Sequence, residues 1–211
     1  MTPGRFVTIE GIEGAGKSTA MDLLRQRIEA RGHAVVITRE PGGTALGEAL
    51  RALLLGHRED DMADTTELLL MFAARAEHLH KVIEPALQSG SWVLCDRFTD
   101  ATYAYQGYGR GIDLARIEAL EQWVQGDIRP DLTLLMDLPV EAGLDRAGRR
   151  SAPDRFERQA LAFFDRVRAG YLALAERWPQ RFRVIDAEPA LDHVSARIVA
   201  MIDHYLDEVG A

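Results

Sequence analysis

Short apolar runs alternate with longer amphipathic stretches along this chain. Phe6-Val7-Thr8-Ile9 (FVTI), residues 34–38 (AVVIT), 92–95 (WVLC), 132–136 (LTLLM) and 182–185 (FRVI) are each short and β-rich. Strands buried on both faces have this continuous apolar character. Between them lie stretches of helical period. Met21, Leu24 and Ile28 share one face of 17–31, which Gly32 closes. Further helical patterns occupy 44–55, 64–87 (with Pro85 as a bend or stop), 114–125, 140–146, 159–178 and 191–209. Alternation of strand and helix predicts an α/β fold with a parallel sheet wrapped by helices. Ligands of such folds sit at the carboxyl ends of the strands, which makes Glu10, Arg39, Asp96, Asp137 and Asp186 worth following.

A length of 211 residues fits one domain, and no repeat or long linker divides it. The 33 acids against 25 bases give a net charge of -8, which argues against unspecific affinity for nucleic acid or anionic membranes. The single cysteine, Cys95, precludes an internal disulfide. No apolar run reaches the roughly 18 residues of a membrane span. These features lead to the expectation of a cytoplasmic protein.

The candidate chemistry starts after the first strand. Gly11-Ile12-Glu13-Gly14-Ala15-Gly16-Lys17-Ser18-Thr19 fits G-x-x-x-x-G-K-[ST] between a strand and a helix. Glycines there let backbone N–H groups converge on phosphate oxygens, and the helix start adds its positive end. Lys17 is expected on the outer phosphates and the Ser18 hydroxyl on magnesium. The chain has two lysines, Lys17 and Lys81, so this one does not come from a lysine-rich background. A phosphate loop alone leaves a GTPase switch, a motor, a small-molecule kinase or a nucleotide-sensing module open. The chain contains no asparagine, so it lacks the Asn-Lys-x-Asp element of guanine readers, and its size favours a small-molecule kinase.

Three further stretches narrow the choice: Arg39-Glu40-Pro41-Gly42-Gly43-Thr44, Phe72-Ala73-Ala74-Arg75, and Asp96-Arg97-Phe98 followed by Ala104-Tyr105-Gln106-Gly107. Together with the phosphate loop, they make the chain resemble the bacterial thymidylate kinases over nearly its whole length. The resemblance implies a P-loop NTP hydrolase-like three-layer sandwich with a five-stranded parallel sheet ordered 2-3-1-4-5. It also implies a homodimer, and transfer of the γ-phosphoryl group of ATP, with Mg2+, to thymidine 5′-monophosphate. It places Phe72 against the base and Arg75 on a base carbonyl or the acceptor phosphate. Arg97 goes to the acceptor phosphate, Asp96 with Ser18 to magnesium, and Thr102 with Gln106 to the base edge. Tyr103 is expected to crowd the sugar C2′ position, Glu10 and Glu40 to lie near the sugar hydroxyl and the phosphate–magnesium region, and Arg51 to meet a phosphate. Another nucleoside monophosphate kinase and a non-catalytic ATP-sensing module remain as alternatives.

Phosphoryl transfer also needs positive charge over the moving group. The phosphate loop carries Glu13 and Gly14 where some relatives place an arginine. The basic, Gly/Pro-broken segment at about 146–156 is therefore the expected lid, with Arg150 first and Arg146 second as its catalytic and ATP-binding arginines. His78 and His80 do not share a helix face and carry no zinc expectation. Trp92, Trp123 and Trp178 read as packing residues.

Overall fold

The computed structural model describes residues 4–56, 61–148, 155–156 and 159–211. Five strands form one parallel sheet in the order β2-β3-β1-β4-β5, as the resemblance implied. They are β1 (Phe6–Glu10), β2 (Val35–Arg39), β3 (Trp92–Asp96), β4 (Leu132–Asp137) and β5 (Phe182–Asp186). Residue alternation sorts their side chains. Val7, Ile9, Trp92, Leu94, Leu132 and Leu134 face helices α1 (Lys17–Ala30) and α9 (Leu191–Glu208). Phe6, Val93 and Cys95 face the opposite layer, as does Leu135. That layer holds α3 (Asp64–His78), a π-helical turn (Leu79–Ile83), α4 (Glu84–Gln88) and α8 (Leu161–Arg177).

Two polar side chains enter this second layer at mid-sheet. Thr8 and Thr133 share a hydrogen bond of 2.9 Å, and Arg181 donates to both Asp100 oxygens at 2.7 Å. Arg181 also donates to Thr133 at 2.6 Å, so the buried Asp100 carboxylate is paired.

The remaining helices are α2 (Ala45–Leu55), α5 (Thr99–Thr102), α6 (Leu114–Gln125) and α7 (Val140–Gly148). The chain continues from α5 into a π-helical turn, Tyr103–Gly109, which packs extensively on α8. Apolar periodicity does not announce this helical stretch. The stretch is dense in small residues because its neighbours demand it: a Cβ on Gly107 would lie 2.5 Å from Leu114 Cδ2, and one on Gly109 would lie 2.7 Å from Phe163 Cε2. Of the three tryptophans, Trp92 is buried, whereas Trp123 is 83% and Trp178 43% exposed, which corrects the packing expectation for both.

Candidate active site

The phosphate loop joins β1 to α1. Gly16 caps the helix at φ 90 and offers no side-chain oxygen, so the first amides of α1 stay open to an anion. Gly14, at φ 74, packs on the first turn of α7: a Cβ there would sit 2.0 Å from the Gly143 carbonyl oxygen. A Cβ on Gly143 would in turn sit 2.7 Å from the Glu13 carbonyl oxygen. Lys17 folds over the loop, its Nζ donating to the carbonyls of Gly11 at 3.2 Å and Ile12 at 3.1 Å. Burial and the neighbouring Arg97 charge hold its ammonium below the usual lysine range.

A cleft in front of the loop is lined by Lys17, Ser18, Arg39, Arg51, Asp96 and Arg97, with Glu13 and Glu40. Burial and the Arg39 and Arg97 charges lower the Arg51 guanidinium as well. Several cations thus crowd one cleft and repel one another, an arrangement that a polyanion relieves. Asp96 has the strand parity of Trp92 and Leu94, so it turns towards the α1 side, where Ser18 begins its helix. Its Oδ1 is buried without a hydrogen-bond partner. No cluster of three or more His, Cys, Asp or Glu side chains suited to a metal occurs among the described residues. Asp96 and Ser18 instead offer two hard oxygens beside a phosphate site, which suits Mg2+ because that ion keeps waters and phosphate oxygens as its other ligands.

Glu13, Glu40, Arg51 and Arg97 also line a second cavity, beyond the cleft. With its open mouth included it encloses about 570 Å³. Arg97 stands at the junction. Its backbone is left-handed, φ 69, and its Nη2 donates to Glu13 Oε1 at 2.7 Å, Tyr105 Oη at 2.9 Å and Gly11 O at 3.3 Å. Nε of Arg97 is buried without a partner. Burial alone would raise the Glu13 carboxyl, but the Arg97 and Lys17 charges outweigh it and hold the group below the usual range. Burial and the Glu13 charge raise the Tyr105 phenol well above its usual value despite the opposing Arg97, so it stays a donor to that carboxylate.

The far end of the cavity carries aromatic and polar side chains. Arg75 lies between the rings of Phe72 and Phe98, 4.8 and 5.1 Å from their centroids. Its Nε donates to Glu40 at 2.8 Å and its Nη2 to Thr102 at 2.9 Å, while Nη1 is buried and unpartnered. His78 lies 2.9 Å from the other Glu40 oxygen and 2.6 Å from Thr38 Oγ1. An ionised carboxylate only accepts, so the His78 Nδ1 carries a proton. Thr102, Gln106, Met71, Ala101, Leu55 and Phe156 complete the wall.

Four sequence expectations move. Glu10 lines neither the cleft nor the cavity. Strand alternation turns it into the α8 layer, where it accepts from the Phe98 amide at 2.7 Å and the Tyr171 hydroxyl at 2.9 Å. Burial, assisted by Asp100, pushes its carboxyl up to about 8. Its place beside the cavity belongs to Glu13. Tyr103 is also misplaced: the helical turn that aims Thr102, Tyr105 and Gln106 inward points Tyr103 outward, where its hydroxyl donates to Glu121 at 2.5 Å. Tyr105 lines the cavity instead. Phe72 is buried with Leu68 and Ile117 behind Arg75, and Met71 takes the wall position. Arg146 does not line the phosphate-loop cleft. It donates to the carbonyls of Ala187 at 2.9 Å and Glu188 at 3.1 Å and lines a separate groove. That groove runs from Ala15, Gly16 and Thr19 to residues 187–191 and α9. Arg150 and most of the expected lid lie outside the described residues.

Sequence reasoning missed Tyr105, His78 and the buried Glu67. The first lies just beyond Tyr103, the residue chosen, on a different helical face. The other two look like ordinary surface residues until the fold buries them.

The family model described as "Thymidylate kinase" matches residues 9–198. A curated thymidylate kinase of Alkalilimnicola ehrlichii is 62% identical over 195 residues, covering 92% of this chain and 90% of that protein. The thymidylate kinase of Methylococcus capsulatus is 58% identical over 206 residues, with 98% of each chain covered. A crystal structure of thymidylate kinase from Ehrlichia chaffeensis superposes with a TM-score of 0.74 at 36% identity, covering 95% of this chain and 99% of the other.

Proposed function

This chain belongs to the thymidylate kinase family, and on that premise we propose that it moves the γ-phosphoryl group of ATP to thymidine 5′-monophosphate, giving ADP and thymidine 5′-diphosphate. The supporting observation is the continuity of the two sites. Glu13, Glu40, Arg51 and Arg97 each line both the phosphate-loop cleft and the cavity beyond it. A donor tail gripped by α1 and Lys17 therefore meets an acceptor phosphate at Arg97.

In this reading the donor base enters the groove beside Arg146, and the triphosphate runs along the loop towards Lys17. The acceptor phosphate lies between Arg51 and Arg97, its sugar passes Tyr105 and Glu13, and its base reaches Arg75, Thr102 and Gln106. An acceptor phosphate oxygen attacks the γ-phosphorus while the bond to the β-phosphate oxygen breaks and ADP departs. That nucleophile is already ionised at neutral pH, so no side chain need act as its base. Lys17, Arg51 and Arg97 instead oppose the charge that spreads over the transferring oxygens. Bound through Asp96 and Ser18, Mg2+ would supply further neutralisation of the phosphates.

No helix among the described residues is long and apolar enough to cross a membrane. A cytoplasmic homodimer belongs to the same proposal. The pairing is supported by the exposed Leu46, Leu69 and Trp123 on α2, α3 and α6. The deciding experiment is coupled ADP release with ATP, Mg2+ and each nucleoside monophosphate in turn. Thymidine 5′-monophosphate should give the highest kcat/KM. Better use of another acceptor, or no turnover, would refute the assignment.

A further inference from the structure

Glu67 is fully buried near the start of α3, and no step of the transfer uses it. Its carboxylate is nevertheless crowded with donors. Gln106 Nε2 donates to Oε1 at 2.8 Å. Arg110 donates to the two oxygens at 3.4 and 3.3 Å, and Arg155 donates to Oε2. Arg155 is itself anchored to the Leu54 carbonyl at 2.9 Å, and Arg110 to the Gln159 side chain at 3.1 Å.

A carboxylate held by two guanidinium groups offers acceptors alone. The Gln106 atom facing it must therefore be the amide nitrogen, which removes the usual ambiguity of amide orientation. Gln106 lines the cavity, and the group it has left to present there is the carbonyl oxygen Oε1. Arg75, on the same wall, has the unpartnered donor Nη1. With a base in the cavity, Arg75 would then supply a fixed donor and Gln106 a fixed acceptor. Thymine and uracil carry the complementary edge, an O4 acceptor next to an N3–H donor. Cytosine carries the reverse, an N4 amine donor next to a bare N3 acceptor.

We propose that Glu67 is a positioning residue for base selection: by pinning the Gln106 amide, it makes the cavity accept a pyrimidine with a ring N–H and reject one with a bare ring nitrogen. The proposal rests on the reading above that the acceptor base occupies this cavity. A free amide would turn over and offer its NH2 to cytosine N3 at little cost. The pinned amide can do so only by breaking a buried hydrogen bond and setting its oxygen against a buried carboxylate, which leaves two acceptors facing each other. Sites that fix a hydrogen-bond pattern in this way discriminate far more strongly than sites that measure shape.

The test compares wild type with Glu67→Gln, in which either end of the new amide can meet Gln106 and the flip becomes cheap. kcat/KM is measured for dTMP, dUMP and dCMP at saturating ATP, with thermal melts confirming that both proteins are folded. The dTMP:dCMP ratio should fall at least about tenfold in Glu67→Gln, while the dTMP:dUMP ratio stays put, because those two bases share the relevant edge. A uniform loss across all three acceptors would mean that Glu67 only holds the fold together, and would overturn the proposal. Absence of dTMP turnover in wild type would instead refute the family-based reading. If Glu67→Gln does not fold, wild type is offered N3-methyl-dTMP. A loss of at least ~10²-fold relative to dTMP is expected, and comparable use would overturn the pinned-acceptor account.

Discussion

Replacing Arg97 with alanine and, separately, with glycine separates its chemical role from its structural one. Both changes remove the guanidinium that stands between the two phosphate sites. Removing a single preorganised donor typically costs about 10²–10³ in kcat, or ~2.7–4 kcal/mol. Arg97 supplies a full charge as well, so about 10² is the least that the geometry supports. The fold also loses something. Glu13 is buried and gives up its 2.7 Å partner, though the Tyr105 hydroxyl still donates to it at 2.8 Å. Breaking a buried pair costs about 3–5 kcal/mol. Relief of Lys17 and Arg51, and water entering the opened cleft, move the net cost towards or below the lower figure. The two variants then part company. At φ 69 alanine keeps a strained backbone, whereas glycine adopts it freely. Arg97→Gly should be more stable than Arg97→Ala by about 1 kcal/mol, or roughly 2–4 °C in Tm for a chain of this size. The assays are ADP formation at saturating ATP and dTMP, and calorimetric melting. A kcat within about threefold of wild type in either variant would refute the bridging role. Equal melting temperatures would refute the strain.

Two other outcomes follow from corrected residues. Glu10 has a folded pKa of about 8, well above an unfolded carboxyl, so the native state holds its proton more tightly. Stability attached to that proton is complete below about pH 4.5 and is lost as pH rises towards and through 8. Glu10→Gln should therefore raise Tm by at least ~5 °C at pH 8.5 and change it little near pH 4.5; melts across that range that run parallel to wild type would contradict this. Tyr105, and not Tyr103, walls the stretch between the base and phosphate ends of the cavity. Tyr105→Ala should raise use of UMP relative to dUMP by about tenfold or more, whereas Tyr103→Ala should leave the ratio within about twofold; the reverse ranking in steady-state kinetics would restore Tyr103 to the site.

The strands were legible because burial on both faces leaves continuous apolar runs, and the phosphate loop because its glycines and lysine serve one local purpose. The sheet order came from resemblance and not from the pattern of residues. Legibility failed where a one-residue step decides direction. Glu10 and Glu13 lie three positions apart, but strand parity sends the first into the α8 layer and the loop brings the second to the cavity. Thr102, Tyr105 and Gln106 share a helical face that excludes Tyr103, and nothing local marks that face. Gly107 and Gly109 read as helix breakers, yet their absent side chains leave room for nearby Leu114 and for Phe163, which the sequence places far along the chain. Phe72 and Arg75 are neighbours as their spacing suggested, but only the packing of α6 reveals that the ring lies behind the guanidinium.

In the proposed binding mode, the contact of Gly14 with Gly143 sets a fixed gauge for the donor nucleotide. Main chain meets main chain there, with no side chain between to swell, shrink or rotate. The phosphate loop and the helix that carries Arg146 to the groove proposed for the donor base are therefore held at one spacing. Exchanges of side chains around the two ends can change what each end prefers, but the length of molecule that reaches from one to the other is written into the backbone.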